Sequence, residues 1–202
     1  IAAKIGTPVG IIHMTGGGTE LKNWVPYTAL SQARSWGEDY RVIGANYPDT
    51  PFYEKTVRDY MASWASYWEE DIATMIATKA LPEGWGGFGE MPRMGSAGSS
   101  TACLNYNIMT HSFLPTSVRG VIFLAGPGAV TEAEGANFAD EMSALANSWK
   151  QGFAVDKRDD VPFFYTMPTG AKVTKPTKIK GTATALEGGD WSAIKALFES
   201  AK

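Results

Sequence analysis

The feature that most constrains this chain is a helix-length apolar stripe set between two short apolar runs. Phe138, Met142, Leu145 and Trp149 recur at i, i+4, i+7 and i+11, which is one face of a helix. Thr131 and Glu134 stand ahead of the stripe at capping-box spacing, where a hydroxyl and a carboxylate satisfy the first unpaired amides reciprocally. Gly152 stands where a helix end takes a left-handed residue. The runs at 118–125 and 162–167 do not alternate cleanly between apolar and polar, so each is predicted as a strand covered on both faces. Strand, helix and strand in that order make a parallel unit, and the fold class read from it is α/β with a mainly parallel sheet.

The same reasoning extends along the chain. Residues 9–15 and 41–45 are short apolar runs and are predicted as strands, while 178–186 alternates weakly, as an exposed edge strand would. A second helix is predicted over 51–79, with Thr50 as its cap and Pro51 in its first turn. Its buried face would be Val57, Met61, Trp64, Trp68, Met75 and Ile76. A third helix is predicted from Asp190, with Ile194, Leu197 and Phe198 facing inward. Two segments break this rhythm. Residues 81–101 form a long connection holding Gly84, Gly86, Gly87, Gly89, Gly95 and Gly98, and 169–189 is rich in Lys, Thr and Gly. Connections of ~15 residues or more tend to carry function or mobility.

Composition narrows the classes. The 202 residues are 44% hydrophobic and 19% charged, enough apolar material for a packed core and unlike a disordered tail. No internal repeat or linker divides them, so the expectation is a single domain over 1–202. Eighteen Lys and Arg against 21 Asp and Glu leave a net charge of -3, and no basic run occurs. A nucleic-acid surface of the usual kind is therefore excluded. Cys103 is the one cysteine, so no internal disulfide staples the fold. No apolar stretch reaches the ~18 residues of a membrane span.

Candidate chemistry begins at Gly16-Gly17-Gly18-Thr19, which follows the run at 9–15. Glycines there let the backbone turn tightly and leave amides free for an anion. Leu21 occupies the position where a dinucleotide fingerprint needs a small residue, and no Gly-Lys-Ser/Thr follows. On pattern alone the stretch reads as a tight turn, with nucleotide binding as the weakest alternative. His13 and His111 are the two imidazoles. Neither has the neighbours of a catalytic triad, and two histidines with one cysteine make a poor zinc site. His13 is expected inside a strand and His111 near a helix end, both in structural roles. Glu69-Glu70 and Asp159-Asp160 read as solvated surface. Of the seven tryptophans, Trp64, Trp68 and Trp149 fall on helix stripes and read as core. Trp24, Trp36 and Trp85 lie in or near loops where a sugar ring stacks, and Trp85 with Phe88 is a candidate assembly surface.

Two stretches carry a resemblance. Thr7-Pro8-Val9-Gly10-Ile11-Ile12, then Gly17-Gly18-Thr19 and Trp24, resembles the sialate O-acetylesterase family, which writes this region as PVGLI…WGGT…EAW. Leu104-Asn105-Tyr106-Asn107-Ile108-Met109, His111, Leu114-Pro115 and Arg119-Gly120-Val121-Ile122-Phe123 resemble its LYNGMI.PLLP..IRGVIWYQGE block. The helix ending at Trp149 and the run Val161-Pro162-Phe163-Phe164-Tyr165 are similar to its DWR…DFPFLFVQL. The resemblance covers roughly 7–28 and 102–169, and the block after Ala102 is the more specific part.

The resemblance implies an SGNH hydrolase fold, a flavodoxin-like three-layer α/β/α domain, and removal of O-acetyl groups from sialic acids and other glycans. In that chemistry a serine attacks the acetyl carbonyl, a histidine takes its proton, and converging donors hold the oxyanion. The oxyanion glycine corresponds to Gly17 or Gly18. The family's Gln, Glu and Asn correspond to Ala125, Pro127 and Ala129 within Ala125-Gly126-Pro127-Gly128-Ala129. The nucleophile block would precede Ile1, so the resemblance implies a domain incomplete at the N-terminus. No Asp-x-x-His occurs, and no histidine follows His111. Ala129, in mid-chain, reads as the mark of a decayed active site with Gly17, Gly18 and Ala129 as its vestigial oxyanion region.

The expected ligand-binding residues are Gly16, Gly17, Gly18, Thr19, Gly126 and Gly128, with no metal and no cofactor. The expected partners are a glycan or other protein subunits of an assembly, and the resemblance implies a periplasmic or extracellular location. The alternative is an active carbohydrate O-acetylesterase whose Ser and Asp-x-x-His lie outside this chain.

Overall fold

The computed structural model describes residues 6–16, 19–81, 102–125, 135–154, 160–168 and 173–186. They fall into two compact units, one built from the chain up to Gly37 and from Thr101 onward, the other spanning Glu38–Ser100.

In the first unit, β1 (Val121–Phe123), β2 (Phe163–Thr166) and β3 (Ala183–Leu186) form a parallel sheet in the order β1-β2-β3. Val121 is in register with Phe163, and Phe163 with Ala183. The chain passes from β1 to β2 through the helix Phe138–Phe153, so the predicted parallel strand–helix–strand unit is present and the architecture is α/β. The helix is buried nearly all round. Phe138, Met142 and Leu145 are wholly buried, Trp149 nearly so, and Ala144, Ala146 and Phe153 join them. β2 is covered on both faces, whereas β1 leaves Ile122 45% exposed. The weak alternation near 178–186 resolves as β3 at the sheet's end, restricted to its last four residues.

Two details of the helix differ from expectation. It begins at Phe138, after Asn137, whose side chain makes no capping bond; Thr131 and Glu134 lie outside the described residues. Gly152 stands inside the helix, not at its end. A Cβ there would sit 3.1 Å from a Leu114 methyl, so the glycine lies in close contact with Leu114 and not in a left-handed turn.

The runs at 9–15 and 41–45 are not strands. Residues 9–15 are irregular and largely exposed, with Ile11 87% accessible. Apolar side chains alone do not make a strand, because the backbone amides need a ladder partner. Up to Gly37, the described residues of the first unit form the short helix Tyr27–Leu30, α1, and 3-10 turns at Leu21–Trp24 and Arg34–Trp36. Residues 41–45 are the second half of the helix Gly37–Ala45, α2, in which Glu38 accepts hydrogen bonds from Arg41 one turn on. A five-residue run is short enough to fit either period.

The second unit continues with α3 (Pro51–Ser66), a π-helical turn at Tyr67–Asp71, and α4 (Ile72–Thr78). The long helix Phe138–Phe153 described above is α5. Both predicted ends are found. Thr50 Oγ1 accepts a hydrogen bond from the Tyr53 amide at 3.3 Å with Pro51 in the first turn, and Lys79 closes α4 in the left-handed region. The predicted buried face is not. No residue of α3, the π turn or α4 is buried, and Met61, Trp68 and Ile76 are 60%, 61% and 73% exposed. Val57, Trp64 and Met75 are half-buried. The π turn inserts an extra residue, which rotates the faces before and after it by about 100°. A stripe drawn at a constant 3.6 period therefore joins residues that do not share a face. The helix predicted from Asp190 lies outside the described residues. Among the described residues, no helix is long and apolar enough to cross a membrane.

Candidate functional site

The glycine turn is held at one end by a chain of hydrogen bonds. Thr19 Oγ1 donates to the Gly16 carbonyl at 2.8 Å, and Trp24 Nε1 donates to Thr19 Oγ1 at 2.8 Å. Trp24 belongs to the 3-10 turn Leu21–Trp24, which buries Leu21 as well. The Trp24 ring meets Phe123 edge-on at 6.4 Å and Trp149 at 6.4 Å, and Trp149 Nε1 donates to the Trp24 carbonyl at 2.6 Å. Burying indoles in this way requires a partner for each N–H, and both have one. Through Trp24, the Gly16 turn is fixed beside Phe123, the last residue of β1. That is the end of a parallel sheet where α/β proteins bind ligands. At the same end, Thr166 Oγ1 donates to the Ala125 carbonyl at 3.2 Å.

A second segment closes on this turn. Cys103 is buried in the left-handed region, φ 65°, and its amide donates to the Lys22 carbonyl at 2.9 Å. Asn107 then donates back to the Cys103 carbonyl at 2.9 Å, and a π-helical turn runs over Tyr106–Thr110. Burial raises the Tyr106 hydroxyl above its ordinary value, and nearby Cys103 adds to the effect. This tight turn drives Asn105 inward, to 8% exposure. Its Nδ2 is buried with no hydrogen-bond partner. A Cβ on Gly16 would stand 2.8 Å from Asn105 Nδ2 and 3.1 Å from the Trp24 ring, so a side chain at position 16 would have to displace the amide. A buried donor left unpaired costs about 1–3 kcal/mol. The sequence places Asn105 in the more specific block without any pattern to mark it as buried.

The described residues thus bring Gly16, Thr19, Trp24 and Asn105 together at the β1 end. Gly17, Gly18, Gly126, Gly128, Ala129, Trp85 and Phe88 lie outside them. Trp24 and Trp36, read as loop residues open to a sugar, are instead core, 7% and 3% exposed. Their rings are committed to packing and cannot stack a ligand face. Trp149 is core as expected, while Trp68 is exposed.

His13 is exposed in the irregular segment, not inside a strand. His111 is also exposed, opening the 3-10 turn His111–Phe113 with its ring 6.2 Å from Tyr106. The buried carboxylate of Glu141, 4% exposed, accepts a 2.6 Å hydrogen bond from Ser35 Oγ. No sequence pattern couples the pair, whose members are 106 residues apart. Among the described residues, no group of three or more His, Cys, Asp or Glu is placed to hold a metal ion.

Asp160 is exposed, as read from the sequence, and is also half of an ion pair. Lys150, 8% exposed on α5, donates to Asp160 Oδ1 at 2.6 Å and to the Thr182 carbonyl at 2.8 Å. The Thr182 amide and hydroxyl both donate to Asp160 Oδ2. Burial would raise the Asp160 carboxyl, but the hydrogen bonds from Lys150 and Thr182 outweigh it and lower the group from 3.8 to about 2. This cluster ties α5 to the segment entering β3 and stabilises the fold that carries the site.

Among the described residues here, Asn105 Nδ2 and Thr110 Oγ1 are buried without a hydrogen-bond partner. The Thr19 hydroxyl proton is spent on Gly16, and the Trp24 N–H on Thr19. Asn105 Nδ2 is a neutral donor, able to hold an acceptor oxygen and unable to move a proton at ordinary pH. Comparison with protein-family models, with curated proteins and with solved structures finds no match.

Proposed function

We propose that this chain is a non-catalytic domain of SGNH type, similar to the sialate O-acetylesterases, acting as a glycan-binding or structural module of an exported protein or assembly. What supports the reading is the sequence at Ala129, which stands where the family resemblance has the oxyanion Asn, with Ala125 in place of its Gln. Ala125 itself follows β1, and its carbonyl accepts a hydrogen bond from Thr166. Removing one oxyanion donor in a serine protease costs about 2.7–4 kcal/mol of transition-state stabilisation, so such a loss turns an esterase into a slow one at best. The parallel β1–α5–β2 unit supports the three-layer architecture that the resemblance implies, and the exported location follows from the same resemblance.

The test treats the intact protein, produced from its complete reading frame, with a fluorophosphonate probe for activated serines and with an aryl acetate. The expected result is no serine adduct and no turnover above buffer. Labelling of one serine, with turnover lost when that serine is changed to alanine, would overturn the reading in favour of a working O-acetylesterase.

A further inference from the structure

We infer that this domain pairs with a second copy of itself by strand addition, the apolar run 9–14 of each copy extending the sheet at the free edge of β1 in the other. Edge and run both belong to the first unit, and neither depends on whether the chain binds a glycan.

Each half of the contact lacks a partner in the single chain. β1 stands at one end of the sheet. Val121 directs its amide to the Pro162 carbonyl across the β1–β2 ladder. Alternate residues of a strand point their backbone groups to opposite edges, so Ile122 turns its amide and carbonyl away from β2. Neither group has a hydrogen-bond partner among the described residues. The Ile122 side chain is 45% exposed and that of Leu124 61%. Residues 121–124 carry no charge and no proline, two of the devices that keep a foreign strand off a sheet edge.

The run Val9-Gly10-Ile11-Ile12-His13-Met14 has the converse defect. Apolar residues side by side at 11 and 12 suit a strand covered on both faces, as in a parallel sheet. Yet Val9, Ile11 and Ile12 are 37%, 87% and 38% exposed, and residues 8–15 make no backbone hydrogen bond among the described residues. No Asp, Glu, Lys or Arg lies within 7–15. The run leads into Gly16, which Thr19 and Trp24 hold beside Phe123, so it meets the domain at the strand whose edge is open, without joining that ladder. An open edge and an unladdered strand of matching chemistry thus occur on one chain, and the lack of charge on both gives a charged partner nothing to complement. A two-fold axis lets each copy give one run and receive one, a closed reciprocal contact, and adding a strand to an exposed edge is an established mode of protein recognition.

The experiment measures the mass of the intact protein, produced from its complete reading frame, by light scattering on a sizing column across a wide range of concentration. Hydrogen exchange over 121–124 is followed in parallel. The expected result is a dimer that dissociates on dilution, with exchange over 121–124 slower in the dimer than in the monomer. Ile11→Pro combined with Ile12→Pro removes the ladder amide whichever of the two faces β1, and keeps the run apolar. It should weaken dimerisation by about tenfold or more, the worth of one or two backbone hydrogen bonds. Ile11→Val combined with Ile12→Val should retain the dimer. Because these residues are exposed and make no backbone hydrogen bond in the single chain, both variants should fold as the parent does, which the circular dichroism of the diluted protein checks. A monomer at every concentration overturns the inference. A dimer that survives the double proline change, with 121–124 exchanging as in the monomer, puts the contact on another surface and overturns it too. Slow exchange over 121–124 in a monomer shows the edge closed by the chain itself, and is equally fatal.

Discussion

Removing Asp160 should cost the fold more than removing its partner Lys150, although the two side chains share one ion pair. The carboxyl is lowered from 3.8 to about 2, which at 1.36 kcal/mol per unit corresponds to about 2.4 kcal/mol in a solvent-shielded site. Asp160's side chain is 45% exposed, so screening and side-chain ordering reduce the direct worth of the interaction to about 1 kcal/mol. Lys150 faces a different environment, with its side chain 9% exposed. Asp160→Asn leaves that ammonium buried with the Thr182 carbonyl as its remaining acceptor in the cluster. Breaking a fully buried pair this way costs about 3–5 kcal/mol, and the half-open setting here brings the expectation to about 2 kcal/mol. Lys150→Met keeps the packed stem and leaves Asp160 with two Thr182 donors and water, so its cost should be about 1 kcal/mol or less.

Urea denaturation followed by tryptophan fluorescence reads the difference as a shift in midpoint at constant slope. The pH dependence gives a second reading. Asp160 titrates lower in the folded chain than in the unfolded one, so its contribution is complete above about pH 5. It declines as pH falls through 4 toward 2, where the unfolded chain takes up the proton first. The gap between wild type and Asp160→Asn should close over that window. Equal costs for the two variants, or a gap unchanged at pH 2, would refute the argument that the buried lysine dominates.

Gly181 stands at φ 68°, and a Cβ there would run into the Asp160 carboxylate; Gly181→Ala should cost about 2 kcal/mol in the same denaturation assay through left-handed strain and loss of the clasp. Leu145 is wholly buried on α5, and Leu145→Ala should cost about 2–5 kcal/mol, measured as a lowered midpoint. Thr50→Ala removes the α3 cap and should cost about 1 kcal/mol. Because α3 buries no residue, the change should appear as faster amide exchange over the first turns of α3, with the sheet amides unaffected.

What could be read from the sequence was whatever repeats locally. The stripe through Phe138, Met142, Leu145 and Trp149 spans three turns, and a period sampled that often leaves few alternatives, so α5 and its two flanking strands follow from it. The run at 41–45 covers little more than one helical turn, and the same residues satisfy a helix once Glu38 and Arg41 pair along it. The 51–79 helix shows the opposite failure. Its ends are set by residues that act locally, Thr50 and Lys79, and both hold. Its face depends on phase carried through Tyr67–Asp71, and one π turn erases it.

Polar function lies at a further remove. Lys150, Asp160 and Thr182 are separated by 10 and 22 residues, and nothing in the chain's periodicity couples them. Asn105 is harder still, since what distinguishes it is a missing partner, and an absence of partners exists only once every neighbour has been placed. The sequence carries a single trace of it. A side chain at position 16 would have to displace the amide that lies against it, so a glycine read first as a backbone device also makes room for a side chain 89 residues downstream.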